Sequence, residues 1–335
     1  MTAADAPTAP LLYAATDPGL VHHTNEDSWA ALDTADGALV LMVCDGMGGM
    51  GHGDEASQLA IRCLIEELSD GAADPGPAML GALTRIDVRI RDALCAGGKG
   101  LPGTTAVLAW IREGWAQVGW VGDSRAYWIR GRAVVERTRD HKLVEELIAA
   151  GQLTETEAKN SMLSHVVTRA IGGRSPDEVA VEGSLTGPWA LEAGDRVVLC
   201  SDGVCDLLSD EEIAGAVGGT DPKAGGDALV RLAIERGGHD NITAIVLLAS
   251  APSAAVPQPR GTLRGTSVSA KEPPPPAPAA RAPEPMQAPP VRPVARATTP
   301  EDEFLKQNQD WASLAFGALA AGLVLLGLAG WFLLS

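Results

Sequence analysis

The chain is expected to adopt an α+β fold, with helices covering antiparallel sheets, and to end in one transmembrane helix. Three observations predict this. Within residues 11–250, short apolar or β-branched runs cluster together, with paired stretches of helical periodicity between them. Apolar residues make up 46% of the 335, enough to build a packed core. Trp311 to Leu334 carry no charge, and these 24 residues would make about 36 Å of helix against a hydrocarbon core of about 30 Å.

The stretch Leu39 to Gly53, LVLMVCDGMGGMGHG, opens as a buried strand and stops at Asp45, where glycines take over. A carboxylate and the Gly46 backbone at a strand end are placed where ligands to a metal or phosphate usually sit. Asp54 to Leu68 reads as an amphipathic helix with Ala56, Leu59, Ala60, Cys63, Leu64 and Leu68 on one face, and Pro77 to Leu94 reads likewise. Strands follow at Thr104–Ile111, Trp115–Val121, Arg125–Arg130 and Ala133–Arg137, with turns near Gly114 and Gly131, which together read as an antiparallel meander. Lys142–Gly151 and Thr154–Asn160 return to helical periodicity. Strands are expected near Glu178–Leu185 and Arg196–Cys200, helices near Asp210–Val217 and Pro222–Arg236, and a last strand at Ile242–Ala249.

Beyond residue 250 the composition changes. Residues 251–306 are rich in Pro and Ala, with PPPP at Pro273–Pro276, and read as a disordered, partly polyproline spacer that cannot bury a core. Residues 311–334 read as the membrane span. Lys306, Arg296 and Arg292 precede it and no basic residue follows, so the positive-inside rule keeps the main body in the cytoplasm. Met1 to Pro10 show neither a basic n-region nor an apolar h-region, and no cleaved secretory signal is expected.

Charge narrows the function. The formal net charge is -17, and residues 1–250 hold 19 Lys+Arg against 37 Asp+Glu, which argues against a nucleic-acid partner. Cys44, Cys63, Cys95, Cys200 and Cys205 form no CxxC pair and suit a reducing compartment as small buried hydrophobes. Asp45, Asp123 and Asp202 each follow an apolar run, and Asp240 directly precedes one. At an effective dielectric of 20, two carboxylates ~4 Å apart repel by roughly 4 kcal/mol. Either these four lie far apart in the fold, or they hold metal.

Six strings then occur in register: NEDS at Asn25–Ser28, DGMGG at Asp45–Gly49 with GDEAS at Gly53–Ser57, PGTT at Pro102–Thr105, GDSRAY at Gly122–Tyr127, CSDGVCDLLSDEEI at Cys200–Ile213 and HDNIT at His239–Thr243. Any one of them is a weak signal; their common order over 11–249 is a strong one. The chain resembles the bacterial metal-dependent (PPM, or type 2C) serine/threonine protein phosphatases. The resemblance implies a sandwich of two antiparallel β-sheets flanked by pairs of helices (α-β-β-α), with a catalytic domain at 11–250. It also implies two Mn²⁺ or Mg²⁺ ions in a cleft at the sheet edges. Carried over residue by residue, Asp45 bridges both ions, the Gly46 carbonyl reaches one, and Asp202 and Asp240 hold the other. Asp123 matches a third, weaker site shared with Asp202, although a capping role in the GDS turn is the plain alternative. Glu26 and Asp27 match acidic positions that act directly or through water. A hydroxide bridging the two ions would attack phosphoserine or phosphothreonine on a protein, with a serine/threonine kinase as the opposing partner in signalling.

One departure stands out. Where such members commonly read G-x-x-R ahead of NEDS, with the arginine clamping phosphate, Gly19-Leu20-Val21 is followed here by His22. A histidine offers one good hydrogen bond and a conditional charge in place of a bidentate fork. His22 is therefore counted with Asp45, Asp202 and Asp240 among the catalytic candidates. Two rival readings follow: a catalytically weak scaffold that binds phosphoproteins, and a hydrolase of small phosphoesters.

Overall fold

The structure, a computed structural model, describes residues 11–48, 52–95, 101–159, 161–175, 178–250 and 262–266. All of these fall in the compact unit Met1–Pro273; the other unit is Pro274–Ser335. The expected membrane span at 311–334 lies outside the described residues, as does the spacer except for 262–266. Among the described residues no helix is long and apolar enough to cross a membrane.

The strands in chain order are β1 (Leu11–Asp17), β2 (Asp27–Asp33), β3 (Leu39–Met47), β4 (Gly103–Thr104), β5 (Ala106–Arg112), β6 (Trp115–Val121) and β7 (Arg125–Arg130). They continue with β8 (Ala133–Arg137), β9 (Ile171–Gly172), β10 (Ser184–Ala190), β11 (Arg196–Cys200), β12 (Ile242–Leu248) and β13 (Thr262–Thr266). The helices are α1 (Gly53–Leu68), α2 (Pro75–Ile90), α3 (Leu143–Ala149), α4 (Glu155–Lys159), α5 (Asp202–Cys205), α6 (Asp210–Val217) and α7 (Pro222–Glu235). One sheet runs β1-β12-β11-β7-β8 and the other β10-β6-β5-β3-β2-β13, with every pairing antiparallel.

Strand alternation builds the layers. In β3, Val40, Met42 and Cys44 pack toward α1 and α2, whereas Leu41 and Val43 pack between the sheets with Val197, Leu199, Ile245 and Leu247. In the other sheet, Val198, Cys200, Ala244 and Val246 turn to the far side and meet Ile213, Val217, Leu229 and Ala233 of α6 and α7. Three cores thus separate four layers, helix, sheet, sheet and helix, and the two antiparallel sheets agree with the sequence expectation. The helices start where their capping chemistry dictates. Asp74 and Asp221 cap α2 and α7, each with Pro following, and Ser209 with Glu212 closes a capping box on α6.

Three expectations change. The predicted meander is split: β5 and β6 belong to one sheet and β7 and β8 to the other, with the chain crossing at Gly122-Asp123-Ser124. The strand expected at Glu178–Leu185 lies instead at Ser184–Ala190, where Trp189 is buried and Pro188, lacking an N–H, coincides with a register shift against β6. Within the stretch read as spacer, Thr262–Thr266 pairs with the outer edge of β2, Thr266 opposite Ser28 and Thr262 opposite Leu32. Composition hid this strand because a proline-rich background dilutes five residues that only a neighbouring edge makes ordered. β1 and β2 were also missed by the periodicity reading. Among the cysteines, Cys44, Cys63, Cys200 and Cys205 are free and buried.

Pairing of β13 with β2 should contribute roughly 1 kcal/mol. A chain ending at Ser250 is therefore expected to melt about 2–4 °C below one ending at Thr266. Thermal unfolding of the two truncations measures this, and equal Tm values would show that β13 adds nothing to stability.

Candidate active site

The alternation that fills the cores also delivers the carboxylates. Asp45 continues the inter-sheet face of Leu41 and Val43, and Asp27 stands directly opposite it across the β2–β3 ladder. Ser201, just after β11, donates its hydroxyl to Asp27 Oδ2 at 2.8 Å and accepts Thr243 N–H at 3.0 Å. The polar ends of four strands, two from each sheet, therefore meet at one end of the seam between the sheets. Asp45 is fixed from both sides of its peptide: its N–H donates to Thr105 Oγ1 at 3.0 Å, and its carbonyl accepts from Thr104 Oγ1 and Thr105 N–H, each at 2.8 Å. Thr105 Oγ1 also lies 2.7 Å from Ser124 Oγ, which ties the PGTT string to the GDS crossing.

Close backbone approach explains two of the glycines. A Cβ on Gly46 would sit 2.2 Å from the Gly53 carbonyl oxygen and 2.7 Å from that of Glu26, so a side chain there would push the start of α1 away from the site. A Cβ on Gly203 would sit 2.1 Å from the Asn241 carbonyl oxygen, and only glycine lets α5 bring Asp202 up against the Asp240 loop. Asn241 orders that loop. Its Oδ1 accepts Glu26 N–H at 2.7 Å, and its Nδ2 donates to the carbonyls of Pro18 and Thr24.

The assembly is electrostatically unfavourable as it stands. Burial first, and then the charges of Asp202, Asp27, Asp123 and Asp240, push the Asp45 carboxyl well above the ordinary range. Asp202 is raised well above it too, by burial and then by Asp123, Asp206 and Asp240. Burial lifts Asp27 to about 6, against the hydrogen bonds from Thr243 and Ser201. Glu26 is raised by burial and by Asp54. Burial also raises Asp123, partly offset by Lys142, whose Nζ stands 3.1 Å from Asp123 Oδ2. Asp27 Oδ1 and Asp202 Oδ1 are buried with no hydrogen-bond partner. A buried carboxylate oxygen without a partner is costly, and a cation is the group that relieves it.

The donor chemistry fits a hard divalent ion. Carboxylates and one backbone carbonyl, with no thiolate among them, suit Mg²⁺ or Mn²⁺, which keep several waters. Among the described residues, no three Asp, Glu, His or Cys side chains close on one point tightly enough to cage an ion by themselves. Ions at this site would therefore complete their shells with the Gly46 carbonyl and water.

Asp240, His22 and the basic side chains around the site differ in exposure and partners. Asp240 is half-exposed, and His22 Nε2 lies 3.7 Å from its Oδ1 at the mouth of the site. Arg125 is committed to Asp140 through two 2.7 Å hydrogen bonds. Lys142 is committed to Asp206 at 2.8 and 3.0 Å as well as to Asp123. Asp123 thus does more than cap its turn. His141 stacks on Trp120, accepts Gly122 N–H on Nδ1 at 3.1 Å and lies 2.9 Å from Ser184 Oγ through Nε2. Burial lowers it to about 4, so it is neutral and structural. Sequence reasoning missed Ser201 and Asp206, although both lie in the CSDGVCD string and Asp206 follows Asp202 at helical i+4 spacing. It also missed Asp87 of α2, whose buried carboxylate accepts Gly172 N–H at 2.8 Å and Val181 N–H at 3.0 Å and so ties both positions to α2.

A four-layer α-β-β-α sandwich with buried carboxylates clustered at one end of its sheet seam is an arrangement suited to holding hard divalent ions. The family model for protein phosphatase 2C matches residues 21–221, and the chain belongs to that family. The serine/threonine protein phosphatase PstP of Mycobacterium tuberculosis is 36% identical over 251 residues, which cover 71% of this chain and 45% of that protein. The chain therefore aligns with about half the length of that relative. Among solved structures, the serine/threonine phosphatase of S. agalactiae superposes with a TM-score of 0.64 at 29% identity, covering 72% of this chain and all of the other. The catalytic domain of PstP in complex with two manganese ions superposes with a TM-score of 0.57 at 30% identity, covering 72% of this chain and 99% of that one.

The raised Asp27 predicts a pH effect. In metal-free protein the folded carboxyl keeps its proton up to about 6, whereas the unfolded one loses it near 3.9. The penalty for ionising it in the fold therefore grows as pH rises through this window and is complete above it. Asp27→Asn, which keeps an acceptor for Ser201, should stabilise the metal-free chain at pH 7 by roughly 1–3 kcal/mol. The gain should shrink to about a third of that at pH 4.5. Urea unfolding of both proteins in chelator at the two pH values checks the sign and the window.

Proposed function

We propose that the chain is a metal-dependent protein serine/threonine phosphatase that hydrolyses phosphoserine and phosphothreonine on proteins. The observation that carries this reading is the convergence of Asp45, Asp27, Asp202 and Asp240 at one end of the sheet seam, with two buried carboxylate oxygens left without partners. Asp45 with the Gly46 carbonyl, and Asp202 with Asp240, would hold two Mn²⁺ or Mg²⁺ ions, in line with the two manganese ions of the PstP catalytic domain. When bound, such ions supply a nucleophile at neutral pH and offset charge on the transferring phosphoryl group.

The chain's own groups orient and select. Thr104 and Thr105 hold the Asp45 peptide so that its carboxylate keeps one orientation. Ser201 holds one oxygen of Asp27 and leaves the other free to accept from a water in the site. Glu26, its carboxyl raised by burial and by Asp54, stands beside the same mouth. With Arg125 and Lys142 paired to carboxylates, the contact to the substrate phosphate falls to His22, exposed beside Asp240. That one-point contact is what favours the second reading, a weak phosphatase that chiefly binds phosphoproteins.

The charge-free run at 311–334 and the basic residues ahead of it support a single membrane anchor with the catalytic part in the cytoplasm, where a serine/threonine kinase would supply its substrates.

Purified chain should release phosphate from a phosphothreonine peptide with Mn²⁺ and lose that activity in excess chelator. Asp45→Asn should lower kcat by at least about 10²-fold with the fold intact by circular dichroism. Full turnover in chelator would overturn the metal-dependent reading. His22→Arg restores a charge-assisted fork at the phosphate and should raise kcat/KM roughly tenfold. Unchanged kinetics would show that His22 is not the phosphate contact.

A further inference from the structure

Three consecutive side chains ahead of α3 are each tied down. Asp140 holds Arg125, His141 is fixed between Gly122 and Ser184, and Lys142 reaches inward to Asp123 and Asp206. The Lys142 backbone is pinned as well, through a bridge to Val167 and through Glu145 N–H to its own carbonyl. Its ammonium is thus a built element, buried at 4% exposure and placed 3.1 Å from Asp123 and 2.8 Å from Asp206. Asp202 lies close enough to Asp123 and Asp206 for their charges to act on it, and its Oδ1 has no partner. His165 Nδ1 approaches Asp206 from the solvent side at 3.8 Å. Among the described residues, Lys142 is the lysine or arginine ion-paired with this end of the carboxylate cluster; the neighbouring arginine, Arg125, is turned to Asp140 and Asp210.

We infer that Lys142 is a resident cation: its ammonium holds the place between Asp123 and Asp206 that a further divalent ion would otherwise take, and so limits how many ions the carboxylate cluster binds. A divalent ion would need the same oxygens at about 2.0–2.1 Å, a position incompatible with an ammonium already donating to them. The lysine is supplied with the fold, so charge compensation at this end does not depend on metal concentration. The inference rests on the reading that Asp45, Asp202 and Asp240 take divalent ions.

Counting bound Mn²⁺ on the full chain by equilibrium dialysis, without substrate, tests it. Lys142→Met should bind one Mn²⁺ per chain more than the wild type. Lys142→Arg should keep the wild-type count, and Lys142→Met combined with Asp206→Asn should return to it. An unchanged count in a cooperatively folded Lys142→Met protein overturns the proposal. If Lys142→Met does not fold, Asp206→Asn alone decides: a count equal to wild type supports a resident ammonium, and the loss of one ion shows that the wild type already binds metal there. A chain that binds ions in this pattern yet fails to hydrolyse phosphopeptide would overturn the proposed activity and leave this inference standing.

Discussion

Like charges gathered at one end of a dry seam are the constraint on which this structure turns. The apolar alternation of β3, β11 and β12 makes the inter-sheet core, and the same parity, continued one step past the last apolar residue, places Asp45, Ser201 and Thr243 on that face. The site is the polar end of the core, and nothing separates the two. Burial that stabilises Leu41 and Leu199 is the same burial that pushes Asp45 and Asp202 away from their charged forms. A chain folded this way keeps stability in reserve for whatever cation arrives, since binding converts mutual repulsion into coordination.

Rigidity around the cluster follows from that tension. Repelling carboxylates would splay unless their backbones were fixed, and each is fixed by a different part of the chain. Thr104 and Thr105 hold Asp45, Asn241 ties the β1–β2 loop to the Asp240 loop through three hydrogen bonds, and the closeness of Gly46 to Gly53 brings the start of α1 against the Asp45 strand end. The strings that look like separate motifs in the sequence are one hydrogen-bonded frame, and Thr105 meeting Ser124 joins two of them directly. Cations are distributed unevenly around it. Among the described residues, the Asp123–Asp206 side carries a buried ammonium and the Asp240 side an exposed imidazole.

Much of this was legible beforehand, because the sequence carries period and order directly. The helices α1, α6 and α7 and the strands β6, β7, β8 and β11 fall where their periodicity puts them, and the aspartates at the ends of apolar runs are the ones that converge. Periodicity cannot report which sheet a strand joins. Both sheets are antiparallel and equally apolar, so the split of the meander at Gly122–Ser124 is invisible until the two faces pack. β13 is a similar case, since a five-residue strand in a proline-rich stretch has no independent stability and exists only against the β2 edge.

The sequence by itself determined which polar groups are available: four aspartates at the ends of apolar runs, the glycines beside them, and His22 ahead of the NEDS string. Tertiary structure alone decided how those groups are partnered. Lys142 and Arg125 carry the same charge, yet one is buried between Asp123 and Asp206 and the other is forked onto Asp140. His22 is exposed beside Asp240, whereas His141 is stacked, hydrogen-bonded and held neutral. The physical reason is that a side chain's charge is fixed by its type, while its partner and its exposure are fixed by residues tens of positions away, and those distances close only when the sheets pack.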